Sequence, residues 1–561
     1  MYGYECIARQ LKEMGITHAF GLTSDDTLLL IGTLETVGIA YISARHETNA
    51  VAMAEGYAAA TDKLGLAIIG RGPAMTNSIH GAAYAAKARS RVLILYGDAP
   101  INPGPMVWGP DVKTVDANAM LTSAGLKVFL AVTANSLPDV LIDAARVAMD
   151  GQPAALLLPT DVQRAELSTN DPVVKDIHAA SPPARLPRPA AVKAAVDQIG
   201  KSKRPLIVAG IGAHRAGARD AIEALARRAG ALIVTSAKAK DMFRGSPYYL
   251  GVLGSFSFAV TRLGAEQADC VIAFGAGLNR RTTSSGGAFP ATAPIIQVDT
   301  DAAVIGRWLA CDIAIAADAR VAAEAMLAIL PERNAKDKPF HAESMLNEIA
   351  QFDPQSEFRP AHTAHTVDPR ALAIALDRLL PEKRNLVYDA GNFLGVYPYV
   401  AAPDAANIKL TVDFVSIGIG LGVAIGTSVA RPDTVTVLFV GDGGFLMAMS
   451  EIETAARQNL PLIIVLMNDC AYGAEMHFLK LNQLSTASAV FPDIDFAAVA
   501  VQFGFEAHTV RSMSDLEALG DTLRGSSGPL LLDCKINPAV EAPFIAEPPG
   551  GVALPSDAHR L

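Results

Sequence analysis

Two acidic residues frame the stretch of this chain best equipped for chemistry. Asp442 lies in Gly441-Asp442-Gly443-Gly444, and Asp469 follows 27 positions later in Asn468-Asp469-Cys470-Ala471-Tyr472-Gly473. An apolar run, Val435 to Val440, leads into the first block, and another, Pro461 to Leu466, leads into the second. Between them, Met449 to Asn459 has the pattern of a helix. The order predicts strand, glycine turn, helix, strand, with one carboxylate at the carboxyl end of each strand. Open α/β sheets bind ligands at that edge. Glycine lets backbone N–H groups approach an anion at a helix start, where the helix dipole favours negative charge. Two carboxylates beside such a turn suit Mg²⁺, which takes hard oxygen ligands and completes its shell with phosphate and water. A lone Gly-Asp-Gly is equally an ordinary βαβ turn, and a register shift would make Asn468 the ligand.

The elements that must hold these residues follow from the whole chain. Its 561 residues exceed one core and predict two to four domains. Hydrophobic residues make up 51% and aromatics only 6%, which suits tightly packed α/β layers and argues against disorder. A net charge of -10 gives no support to nucleic-acid binding. The start, MYGYECIARQ, has no basic region followed by an apolar core, so no signal peptide is expected. The uncharged run Phe414 to Ala430 is interrupted by glycines and short for a membrane span; a buried segment is expected. Cys6, Cys270, Cys311, Cys470 and Cys534 are scattered, as in a protein of a reducing, cytoplasmic compartment.

Apolar runs alternate with helical patterns, which predicts doubly wound parallel sheets. Ser168 to Pro189 and Pro331 to Pro369 break the rhythm and read as surface linkers. Three α/β domains are expected, at 1–167, 190–330 and 370–545, with a tail at 546–561 that is either loose or a lid. The middle block carries strand-then-glycine turns at Gly210, Gly212 and Gly275. These are a weak dinucleotide signal or packing glycines; Arg280 and Arg281 either meet a phosphate or are solvated.

Three further motifs join the first. Arg45-His46-Glu47 is followed by Ala54-Glu55-Gly56-Tyr57-Ala58; Glu47 in isolation is a charge at a helix N-terminus. Phe414-Val415-Ser416-Ile417-Gly418-Ile419-Gly420 sets glycine beside a protruding aliphatic residue, and Asp389-Ala390-Gly391-Asn392 follows the strand pattern Asn385 to Tyr388. Together these resemble the motifs of the thiamine-diphosphate enzymes, and the resemblance spans the chain. It implies a pyrimidine-binding first domain, a middle domain that binds FAD, ADP or nothing, and a diphosphate-binding third domain. It assigns Asp442, Asp469 and the Ala471 carbonyl to Mg²⁺, with Asp469 standing where the family has Asn. Gly391, Asn392, Gly441, Gly443, Gly444, Tyr472 and Gly473 would surround the diphosphate. Glu47 would bond N1′ of the aminopyrimidine and share its proton there, so that the cofactor's amino group can take the thiazolium C2 proton. Ile417 would wedge beneath the bent cofactor, and the Val415 carbonyl would accept from its amino group. The resemblance also implies a homodimer at least, and commonly a homotetramer, acting on small carbonyl substrates.

Four residues bear on which carbonyl. Asp25 aligns with an acidic residue of some decarboxylases, or caps the helix expected over Thr27 to Leu34. Gly70 stands where benzoylformate decarboxylase-like enzymes keep a catalytic His. Arg71 either holds a substrate carboxylate or is a salt-bridged structural residue. His477 is a substrate contact candidate, whereas His80 reads as packing. The resemblance points to acetolactate synthase-like chemistry. Benzaldehyde lyase-like or 2-hydroxyacyl-CoA lyase-like chemistry comes next, then an FAD-dependent 2-oxo acid oxidase. A non-catalytic scaffold is disfavoured, because it would not need Glu47, Asp442 and Asp469 together.

Overall fold

The structure, a computed structural model, describes residues 1–102, 111–168, 184–333 and 338–546. The first sheet comprises β1 (His18–Gly21), β2 (Ala40–Ser43), β3 (Gly65–Ile69), β4 (Val92–Asp98), β5 (Lys127–Leu130) and β6 (Ala154–Pro159). The second comprises β7 (Pro205–Ala209), β8 (Leu232–Thr235), β9 (Tyr249–Val252), β10 (Cys270–Phe274), β11 (Ile295–Asp299) and β12 (Ile313–Ala316). The third comprises β13 (Arg384–Tyr388), β14 (Ile408–Leu410), β15 (Val435–Gly441), β16 (Leu462–Asn468), β17 (Glu506–Val510) and β18 (Leu530–Lys535). All three sheets are parallel, with helices on both faces. The inner strands β3, β7, β10 and β16 are therefore buried along their whole length and read as near-continuous apolar runs.

The first and third sheets share one strand order, β2-β1-β3-β4-β6-β5 and β14-β13-β15-β16-β18-β17. The middle sheet differs. Its order, β12-β11-β10-β7-β8-β9, reverses between β7 and β10, where a doubly wound sheet opens its ligand crevice. Here the glycines at that point meet each other. A Cβ on Gly210 would strike the Gly275 carbonyl, and one on Gly212 would lie 2.8 Å from the Gly275 Cα. Gly275 itself has φ +55°. These glycines let two loops pack backbone to backbone. Arg281 turns to the C-terminal segment, donating to the Phe544 carbonyl at 3.2 Å and covering its ring. Arg280 donates to Ser285.

The Glu47–Thr61 helix is buried nearly all round, as is Gly420–Ala430. Their small residues let the two backbones touch: a Cβ on Gly426 would overlap the Met53 carbonyl, and Gly422 lies against Asn49. Arg431 extends the pairing by donating to the Ala60 carbonyl at 2.7 and 3.0 Å. Because 49 faces 422, 53 faces 426 and 60 faces 431, the helices run in the same direction. Their N-termini, bearing Glu47 and the Ile417 segment, lie at the same end. One apolar core continues from the first domain through this pair into the third.

The linker expected at Pro331 to Pro369 is partly structured: it carries a Glu343–Gln351 helix and buries Phe340 and Met345 against the middle sheet. Of the other expected linker, 169–183 lie outside the described residues, as do 547–561 of the tail. Among the described residues, no helix is long and apolar enough to cross a membrane.

Candidate active site

β15 delivers Asp442 as the first residue of the Asp442–Ala448 helix. The helix expected over Met449 to Asn459 is found as Glu451–Arg457, and Met449 and Ser450, both in the right-handed helical region, join it to the Asp442–Ala448 helix. β16 ends at Asn468, and Asp469 opens the loop before the Gly473–Leu481 helix. The glycines here make room. A Cβ on Gly443 would meet the Tyr472 ring at 2.6 Å, one on Gly444 the Asp389 carboxylate at 2.7 Å, and one on Gly473 would overlap the Asp469 carboxylate.

Asp442 is buried, and its Oδ1 has no hydrogen-bond partner. Burial pushes its carboxyl up to about 7. Desolvation, then the charge of Asp442, holds Asp469 well above the usual carboxylate range. Two desolvated carboxylates facing each other, one with an orphaned oxygen, fit a hard divalent cation. No cluster of three or more His, Cys, Asp or Glu side chains among the described residues could hold a metal. The rest of a cation's shell here must come from a carbonyl, water or diphosphate. Asn468 is committed elsewhere: its amide donates to Asp533 at 2.9 Å and its oxygen accepts from the Cys470 N–H at 3.2 Å. Ala471 is buried and bridges Val490.

Glu47 is the first residue of its helix and only 8% exposed. The Asn77 amide donates to its Oε2 at 3.1 Å. The turn before it is pinned from the third domain. Glu451, fully buried, accepts from the N–H groups of Arg45 and His46 at 2.9 and 3.0 Å and from the Thr454 hydroxyl at 2.8 Å. Burial raises its carboxyl above the usual range. The sequence pattern alone does not single out Asn77 or Glu451. Their spacing to Glu47 is tertiary, although Glu451 stands out as an acid at a helix's apolar positions.

The Val412–Ile419 segment departs from relaxed backbone at two positions. Val415 has φ +52° and Gly418 φ +85°. A β-branched residue in the left-handed region is a genuine outlier, costing on the order of 1–3 kcal/mol. Ile417 is half-buried beside Gly444. Val415 is 77% exposed. Asp389, fully buried, accepts from the Gly418 N–H at 2.7 Å and from the Thr411 hydroxyl at 3.0 Å. Burial pushes its carboxyl up to about 6. His80, read above as packing, bonds Ser416 of this segment. Gly391 has φ +152° and opens the turn that holds Asn392. The Asn392 amide is engaged with Val540 and Ala542, each at 2.9 Å.

The substrate candidates separate. Asp25 is exposed and pairs with Lys113 at 2.6 Å, which lowers its pKa. It caps no helix: the helix spans Leu28–Thr36 with Thr27 at its N-cap. Arg71 pairs with Asp111 at 2.5 Å, and its N–H donates to Asp26 at 2.7 Å. Asp26 is buried and keeps an orphaned Oδ1. Asp98 lies close enough for its charge to act on this group. His477 is buried under the C-terminal segment, its Nδ1 3.2 Å from Glu541 but misaligned for a hydrogen bond. Burial lowers its pKa.

Comparison with known proteins agrees along the chain. Residues 1–104 match the thiamine pyrophosphate enzyme N-terminal TPP binding domain, 192–326 its central domain, and 397–534 its C-terminal TPP binding domain. The chain is 26% identical over 568 residues to the acetolactate synthase isozyme 2 large subunit of Escherichia coli, covering 98% of each. It is 27% identical over 565 residues to a probable acetolactate synthase large subunit of Methanocaldococcus jannaschii, covering 98% of this chain and 94% of that one. It is 28% identical over 547 residues to the probable 2-ketoarginine decarboxylase AruI of Pseudomonas aeruginosa, covering 95% and 93%. With three domains of this kind in order and relatives matched end to end, the chain belongs to the thiamine-diphosphate-dependent enzymes.

Proposed function

We propose that this enzyme binds thiamine diphosphate through Mg²⁺ and breaks and forms a carbon–carbon bond next to a carbonyl, decarboxylating a 2-oxo acid and joining the remainder to a second carbonyl. The observation that carries this is the Asp442–Asp469 pair: two desolvated carboxylates at adjacent strand ends, one with an unpartnered oxygen, beside a glycine turn. When bound, thiamine diphosphate supplies the nucleophile and electron sink for the bond change. Asp442, Asp469 and the Ala471 carbonyl would hold the cation. Glu47, oriented by Asn77 and set in place by Glu451, holds the proton shared with the pyrimidine. Ile417 would support the cofactor, and the Val415 carbonyl, on exposed strained backbone, would accept from its amino group.

The same proposal includes self-assembly into at least a homodimer. Phe414, Val415, Leu446 and Met447, all beside these loops, are 41%, 77%, 39% and 57% exposed. Exposed apolar residues rimming a site are what a second copy would cover.

A second substrate class is favoured by charge. Asp25, Asp26, Asp98 and Asp111 outnumber Arg71 and Lys113 at the edge of the first sheet, and the relative AruI carries the name of a decarboxylase for a guanidinium-bearing 2-oxo acid. The deciding experiment supplies thiamine diphosphate and Mg²⁺ with pyruvate, and separately with 2-oxo-5-guanidinopentanoate, following CO₂ and the carbon product. Acetolactate formed in step with CO₂ establishes the synthase. CO₂ and an aldehyde from the guanidinium substrate alone establish the decarboxylase. The Glu47→Gln variant is expected to lose about 100-fold in either activity; full activity in it rules out the proton role.

A further inference from the structure

The segment Thr411–Gly420 is held by polar side chains from all three domains. From the first, His80 on the Pro73–Ala88 helix bonds the Ser416 hydroxyl, and its ring packs 6.3 Å from that of Phe414. From the middle domain, the Lys238 ammonium pairs with Asp413. From the third, Asp389 accepts from the Gly418 N–H at 2.7 Å. These anchors bracket Val415: Asp413 is two residues before it, Ser416 directly after, Gly418 three after.

The middle-domain anchor is itself fixed. Lys238 lies in the Ala237–Ala239 turn that follows β8. The Tyr397 hydroxyl of the third domain donates to the Ala237 carbonyl at 2.6 Å. The Ala402 N–H donates to Asp241 at 2.8 Å, and the Lys240 ammonium donates to the Val400 carbonyl. The turn is thus plugged into the third domain, and Lys238 reaches Asp413 from a rigid base.

A left-handed β-branched residue persists only where its surroundings over-determine it. We infer that His80 and Lys238 are positioning residues. They hold the backbone of Val415 and the side chain of Ile417 in the shape that thiamine diphosphate meets, and this is what the middle domain contributes to the site. The inference rests on the function proposed above for its meaning, but the mechanical part does not need the cofactor.

The test is amide hydrogen exchange in the cofactor-free protein, read on peptides spanning 411–420, together with calorimetric binding of thiamine diphosphate with Mg²⁺. In Lys238→Met and His80→Ala, exchange in this segment is expected to quicken at least tenfold while β13, β15 and β16 stay protected, and the cofactor Kd to rise at least fivefold. Lys238→Arg and His80→Gln, which keep a donor in reach, are expected to restore both. If Lys238→Met fails to fold, Asp413→Asn removes the same pair from the other side and gives the same readout. Unchanged exchange in the segment, or a uniform rise across the whole chain, overturns the positioning role. A wild type that binds no thiamine diphosphate overturns the proposed function instead, and leaves the exchange result to stand by itself.

Discussion

Asp389 offers the sharpest statement at the scale of one residue. It is fully buried, and burial pushes its carboxyl up to about 6, although the Gly418 and Thr411 donors pull the other way. A folded-state pKa above the unfolded value means that the folded chain binds this proton more tightly. Its contribution is fully present below the ordinary Asp value near 4 and is lost as pH rises through about 6. A shift of about two units corresponds to about 3 kcal/mol. The stability of the wild type relative to Asp389→Asn is therefore expected to be greatest near pH 4 and to decline by pH 7, read from urea midpoints at both. A difference that does not move with pH would remove the burial account. Residues of this kind mark the limit of what the sequence tells. The Asp442 and Asp469 blocks are legible because strand, glycine turn and acid lie within a few positions of each other. Glu451, Asn77, His80 and Lys238 meet their partners across 30 to more than 400 positions, and nothing in local pattern announces those meetings.

The pair of parallel helices, Glu47–Thr61 and Gly420–Ala430, is the element on which the site's geometry turns. Glycine inside a helix ordinarily costs about 1 kcal/mol relative to alanine. Gly32, in the Leu28–Thr36 helix, shows that ordinary case, since nothing lies within 4 Å of where a Cβ would stand. Gly426 reverses the sign, because its Cβ would overlap the Met53 carbonyl, which is backbone and cannot swing aside. Gly32→Ala is expected to raise the thermal midpoint slightly. Gly426→Ala is expected to lower it by several degrees, with a cost of roughly 1–3 kcal/mol for the overpacked contact. Equal effects from both substitutions would mean that the helices can part at no cost. The strands at Val435, Pro461 and Asn385 were readable from apolar runs. The seat of Glu451 under the Arg45–His46 turn, at the start of the helix after Met449 and Ser450, was not.

At the scale of the whole molecule, the alternation of runs predicted three parallel sheets, and the shared strand order of the first and third gives that alternation its shape. How the domains touch was not readable, because contacts such as Lys409 with Glu55 or Arg431 with Ala60 obey no period. The same limit applies to what lies beyond one chain. Leu446 and Met447 face outward on the helix that begins with Asp442, beside the exposed Phe414 and Val415. A lone exposed leucine needs no explanation, but this group sits where the candidate cofactor loops converge. If a second copy covers it, a charge placed at its centre must be desolvated on assembly. Met447→Glu, at a position 57% exposed in the separate chain, is expected to weaken self-association at least tenfold, or about 1.4 kcal/mol, by sedimentation. Cofactor affinity is expected to become dependent on protein concentration in parallel, because a site completed by a neighbour is lost when the neighbour leaves. A variant that sediments as the wild type does would place the interface on another face. A variant that dissociates yet binds thiamine diphosphate unchanged would mean that one chain, with Glu47 and the Ile417 segment already at the same end of their helix pair, holds the cofactor by itself.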